Sequence, residues 1–72
     1  MKQITINTLT GSEPYVISLC DSAYNGCIYI DFIYNIDVPY TFNVPINFSN
    51  LSQVSVKAID SNGCEIKDIV NL

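Results

Sequence analysis

The chain's last third sets the strongest limit on its fold. Val54-Ser-Val-Lys-Ala-Ile-Asp-Ser-Asn-Gly-Cys-Glu-Ile-Lys67 alternates apolar and polar residues, turns through Asp60-Ser-Asn-Gly63 and continues as a second alternating run. A period of two marks a half-buried strand rather than a helix. Asn-Gly supplies the turn chemistry that reverses a hairpin. This predicts a β-hairpin with strands over 53–59 and 64–70.

The same period runs through the rest of the chain. Ile4 and Ile6 alternate with Thr5 and Asn7, which predicts a strand near 3–9. Thr10-Gly-Ser-Glu-Pro14 is a turn. Tyr15, Ile17 and Leu19 then share one face of a second strand that ends near Cys20 and Asp21. A loop over 21–26, closed by Asn25-Gly26, leads into a third strand over 27–33. Strict alternation there puts Ile28, Ile30, Phe32 and Tyr34 on one face and Cys27, Tyr29, Asp31 and Ile33 on the other. Both faces are largely apolar, so this strand is expected to be central or covered by a neighbouring subunit. Asp31 is the exception and must be solvated or hydrogen-bonded. Tyr40, Phe42 and Val44 define a short fourth strand between Pro39 and Pro45, and prolines at both ends favour an edge or rim. The connection over 45–52 allows one irregular helical turn, with Phe48 and Leu51 plugging the open end of the core. No segment sustains an amphipathic helical stripe. The expected fold class is a single all-β sandwich over 1–72, with about six to seven short antiparallel strands.

Size and charge narrow the class of function. A 72-residue domain buries only a modest share of its surface and is expected to rely on disulfides, a metal or neighbouring copies. Apolar residues make up 49% and charged residues only 14%, against about a quarter charged in an ordinary domain. A neutral surface of Asn, Ser, Thr and Tyr suits packing inside an assembly. The net charge of −4, with three lysines and no arginine, argues against nucleic-acid binding. No stretch reads as a signal peptide or membrane span. The expectation is a chain complete from its initiator Met and made in the cytoplasm.

Candidate chemistry is sparse. Cys20 and Cys27 flank one hairpin loop and would form a disulfide in an oxidising setting, leaving Cys64 free. The alternative is three reduced cysteines, as expected of cytosolic assembly. Three thiolates with an Asp would make a zinc site, but there is no Cys-x-x-Cys spacing and no histidine. Without histidine, a cysteine nucleophile also lacks its usual base. Asp60, Asn62 and Glu65 superficially resemble half a calcium loop, although capping of the turn explains Asp60 more simply. Asp21-Ser-Ala-Tyr-Asn-Gly-Cys27 and Asp60-Ser-Asn-Gly-Cys64 echo each other, which shared turn chemistry accounts for. No catalytic residue, metal or cofactor is expected, and the chain reads as non-enzymatic.

Five tyrosines are many for this length. Aromatic residues are enriched in interface cores and suit sugar stacking. Tyr24, Tyr29, Tyr40 and Phe48 are the interface candidates, with Tyr24 expected to stand out from its loop. Core or rim positions remain open for Tyr15, Tyr29, Tyr34 and Tyr40.

Gly11-Ser-Glu-Pro-Tyr15 and Val54-Ser-Val-Lys-Ala-Ile-Asp-Ser-Asn-Gly-Cys64 together resemble the immunoglobulin-like (Ig-like) repeats of Bacteroidetes surface adhesins. Cys20-Asp-Ser22 and Phe42-Asn-Val-Pro45 resemble small domains in virion proteins of phages infecting that group. The resemblance implies an Ig-like β-sandwich used for adhesion or particle building. A single copy without a signal peptide favours a virion component of the capsid, neck or tail. Such a subunit would bind larger virion proteins in multiple copies, by edge-strand pairing and aromatic contacts. The alternative is a carbohydrate- or host-surface-binding module, which should show Tyr24 and Tyr40 in one solvent-facing patch.

Overall fold

A computed structural model describes residues 2–72. It contains β1 (Gln3–Ile6), β2 (Tyr15–Asp21), β3 (Ile28–Ile33), β4 (Tyr40–Asn43), β5 (Gln53–Ile59) and β6 (Glu65–Asn71). A 3₁₀ turn spans Asn35–Asp37, and one helical turn, α1, spans Ile46–Ser49. Every pairing is antiparallel. β1 and β4 form a two-stranded sheet, and the other four strands lie in the order β3-β2-β5-β6. The result is a small β domain of two sheets.

One core joins the two sheets. β2 and β5 supply Tyr15, Ile17, Leu19, Val54, Val56 and Ala58, and the small sheet supplies Ile4 and Phe42. The alternation read from the sequence therefore holds in β2, where Tyr15, Ile17 and Leu19 are fully buried. The outer face of the small sheet is polar and cross-braced. Thr5 Oγ1 and Thr41 Oγ1 lie 2.8 Å apart, and Gln3 Nε2 donates to Asn43 Oδ1 at 3.1 Å. Such directly opposed pairs stabilise a sheet locally.

β3 departs from strict alternation. Its pairing with β2 steps from Ile17↔Asp31 to Ser18↔Tyr29, leaving Ile30 without a partner. This is a β-bulge, and a bulge reverses the inward and outward sense of the residues beyond it. Ile33, expected opposite Ile28, is therefore buried in the core, while Phe32 is exposed. β3 is also an edge strand, which rules out the central one of the two placements its apolar faces suggested.

The chain crosses from β1 to β2 through a loop held by one carboxylate. Asp60 Oδ1 accepts the Asn62 and Cys64 amides at 3.0 and 2.8 Å, and Oδ2 accepts the Ser12 amide at 3.4 Å. The Ser61 amide bonds the Ser12 carbonyl at 3.0 Å. Gly11 sits at φ +113°, and a Cβ there would meet Asp60 Oδ2 at 2.5 Å, so only glycine fits. Tyr15, wholly buried, donates its hydroxyl to the Gly11 carbonyl at 3.0 Å.

The two Asp-Ser turns are built alike. Asp21 Oδ1 accepts the Ala23 and Asn25 amides, as Asp60 Oδ1 accepts those of Asn62 and Cys64. Each aspartate thus caps the amides two and four residues ahead. The residue three ahead has positive φ, 62° at Tyr24 and 85° at Gly63. Structurally Tyr24 therefore matches Gly63, and the repeated Asn-Gly-Cys is not equivalent between the loops.

Stability in a domain of this size is about 0.05–0.15 kcal/mol per residue, or roughly 4–11 kcal/mol for the whole chain. Leu19→Ala, at a fully buried site, is expected to remove about 2–5 kcal/mol. Chemical denaturation should show the midpoint falling with an unchanged slope.

Candidate interaction surface

The expected site residues fall in four different places. Phe48, an interface candidate, lies in the core, 7% exposed. α1 turns it inward, as expected of a residue that plugs the core, and this removes it from the interface candidates. Leu51 beside it is exposed and does not plug the core. Tyr29 is open to solvent at 63% exposure. Tyr24 is half-buried: its loop folds back so that Lys67 Nζ of β6 lies 5.0 Å from the ring centroid. That is cation–π distance, worth about 0.5–1 kcal/mol at an exposed site.

Tyr40 is tied down in another way. Its hydroxyl donates to Asp31 Oδ2 at 2.8 Å, linking β4 of the small sheet to β3 of the large one. The bulge makes this possible by placing Asp31 opposite Ile17, on the core side. Asp31 Oδ1 also accepts the Phe32 amide at 2.7 Å. These two bonds, the Tyr40 bond first, hold the Asp31 carboxyl below its ordinary 3.8. Burial, then the bond to Asp31, pushes the Tyr40 hydroxyl up to about 12. Tyr24 and Tyr40 therefore serve different edges and do not form one patch.

The exposed aromatic surface lies elsewhere. Phe32 and Tyr34 meet edge to face at 5.8 Å, and Tyr29 stands on the same strand. Ile36, 90% exposed, follows them in the 3₁₀ turn. Phe32 is not among the interface candidates of the sequence, where strict alternation puts it on one face with Ile28 and Ile30. Only the bulge turns it outward.

The two flanks of the domain differ. On one, the Tyr40–Asp31 bond joins β3 and β4, β3 is bulged, and Pro39 and Pro45 bracket β4. Bulges and prolines are the usual means of blunting an edge. On the other flank, β1 and β6 each have an unpaired edge. Between them runs a groove of about 250 Å³, lined by Ile6, Leu9, Val56, Ile66, Asp68 and Val70 among others.

Cys20 and Cys27 are joined in a disulfide, which removes two of the three thiolates a zinc site would need. Cys64 is the free thiol and is exposed. Asp60 is engaged by backbone amides, which explains it without calcium. Among the described residues no group of three His, Cys, Asp or Glu side chains could hold a metal, and no helix is long and apolar enough to cross a membrane. Compared with protein-family models, curated proteins and solved structures, the chain matches none.

Two measurements test this description. Asp60, like Asp31, is held below 3.8, chiefly by the Cys64 amide. The folded chain then binds fewer protons than the unfolded one, so this stability is present above pH 3.8 and is lost as pH falls through the folded values. Tyr40 acts in the opposite direction: its contribution is complete below pH 10.0 and is lost as pH rises towards about 12. Melting temperature against pH should fall on both sides, and Asp60→Asn should flatten the acid limb. Second, closing the short Cys20–Cys27 loop should contribute about 2–3 kcal/mol. A thiol reagent should titrate only Cys64 in the native protein, and reduction should lower the denaturation midpoint.

Proposed function

We propose that this protein is a non-enzymatic structural subunit of a phage virion, an Ig-like sandwich that binds larger virion proteins in multiple copies. The observation that carries the assembly reading is the open flank between β1 and β6, where two unpaired edges border a groove lined by both apolar and polar side chains. An unprotected edge is a template for pairing with another chain.

Strand order supports the Ig-like assignment. In that fold the hairpin-bearing sheet reads C′-C-F-G and the facing sheet pairs B with E. Taking β1 as B, β2 as C, β3 as C′, β4 as E, β5 as F and β6 as G reproduces both observed orders. Among the described residues no strand occupies the place of A beside β1 or of D beside β4. Tyr15 bonds back to the backbone four residues upstream, like a tyrosine corner, but at the start of the C-equivalent strand rather than of F.

The virion placement rests on the resemblance of Gly11–Tyr15, Cys20–Ser22, Phe42–Pro45 and Val54–Cys64, and on the weakly charged surface. The subunit would be made in the host cytoplasm and carried on the capsid, neck or tail. A second reading, a glycan- or host-surface-binding module, is favoured by the exposed row Tyr29, Phe32 and Tyr34. Aromatic faces of this kind suit sugar stacking.

Mass spectrometry of purified particles should find the chain in many copies. Light scattering should show it entering complexes with a larger virion protein. A stable monomer, absent from particles and without affinity for any virion protein, would overturn the reading. Glycan-array binding that is lost in Tyr29→Ala and Phe32→Ala would establish the alternative.

A further inference from the structure

The open flank specifies its occupant. In an antiparallel ladder, directly opposed residues alternate between bonded and non-bonded pairs. The Leu72 amide bonds the Ser52 carbonyl, so the register of β6 with β5 makes Val70↔Val54, Asp68↔Val56 and Ile66↔Ala58 the bonded pairs. The backbone groups of Glu65, Lys67, Ile69 and Asn71 consequently point away from β5, along a seven-residue edge. By the same logic the Val44 amide, bonded to the Lys2 carbonyl, directs the Gln3 and Thr5 backbone away from β4.

Ile66, Asp68 and Val70 project from β6 on the core side, because their partners Ala58, Val56 and Val54 are buried. Ile66 nevertheless remains 36% exposed and Val70 half-buried, facing the half-buried Ile6 and Leu9. An occupant must therefore bond to the β6 edge and also place alternate side chains in the groove. An extended strand does both. Asp68 is the charged side chain of the groove lining, and it lies between two apolar positions.

Resting on the assembly reading above, we infer that the β1–β6 groove takes one extended strand of a partner protein, paired along β6. That strand has apolar side chains at two alternate positions and a Lys or Arg between them, facing Asp68. Charge disfavours a second copy of this chain. Two β6 strands paired edge to edge would present Ile66, Asp68 and Val70 twice on the core side, with two carboxylates and no cation to meet them. Like charges across a pair are unfavourable.

The test uses the full chain and two labelled synthetic peptides, Thr-Val-Thr-Lys-Thr-Val-Thr and its Glu-centred counterpart, followed by fluorescence anisotropy and amide NMR. The Lys peptide is expected to bind at least tenfold more tightly than the Glu peptide, with shifts confined to residues 3–9 and 65–71. Asp68→Lys should reverse the preference. Ile69→Pro, which removes an outward-facing amide not used by β5, should abolish binding. No binding by either peptide, shifts mapping to β3 and β4, or an unchanged preference in Asp68→Lys would each overturn the inference. So would a homodimer paired through β6. A chain present in particles that binds neither peptide leaves the virion reading standing and removes only the groove, so the two failures are distinguishable.

Discussion

Asp60 is the point on which the two-sheet arrangement depends. Here one carboxylate closes the β5–β6 turn through the Asn62 and Cys64 amides and grips the β1–β2 loop through Ser12. Gly11 is forced by the close approach of that carboxylate, and Tyr15 bonds the Gly11 carbonyl from inside the core. A surface turn, a crossing loop and the first core residue of β2 are thus one unit. An ionised acceptor makes the unit stronger than neutral hydrogen bonds would, and also sensitive to acid.

A second link acts at the opposite flank. The bulge at Ile30 places Asp31 on the core side of β3, where the Tyr40 hydroxyl meets it. A carboxylate there would otherwise lose solvation without compensation. The bond joins β3 to β4, and the same bulge turns Phe32 outward beside Tyr34. Closing one flank and exposing an aromatic row are therefore consequences of one extra residue. On the other flank the Asp60 link holds the β1–β2 loop to the β5–β6 turn. Among the described residues, however, no side-chain hydrogen bond joins strand β1 to strand β6, and their apolar side chains face a groove. That asymmetry is the basis for reading the domain as a component that a partner completes.

Particular residues show how much could be read in advance. The period of two placed Tyr15, Ile17 and Leu19 of β2 and Val54, Val56 and Ala58 of β5 in the core, because both strands have a neighbour on each side. It did not show that Ser55 on the other face of β5 is buried too, bonded to the Asp21 carbonyl. The Asp60 turn was legible because Asp and Gly have few alternative uses there. The strand near 3–9 stopped at Ile6, since residues beyond it have no strand to pair with. Of the two residues expected to plug the core, Phe48 does so from α1, whereas Leu51, just beyond that turn, is exposed. Gly26 carries the positive φ expected of the Asn25-Gly26 pair, and Tyr24 carries a second one that was not expected, because the capping pattern counts from Asp21.

By itself the sequence determined the strands, the turns and the β2 and β5 core faces, since period and turn chemistry are local properties of the chain. It also limited the chemistry by lacking histidine and arginine. Tertiary structure alone decided the sheet order, the side of the sheet to which Asp31 and Phe32 turn, and which edges remain open. Those outcomes depend on register and on contacts between residues distant in sequence. A one-residue bulge reverses a strand's faces while leaving its composition unchanged. An open edge exists only once every other strand has found its partner.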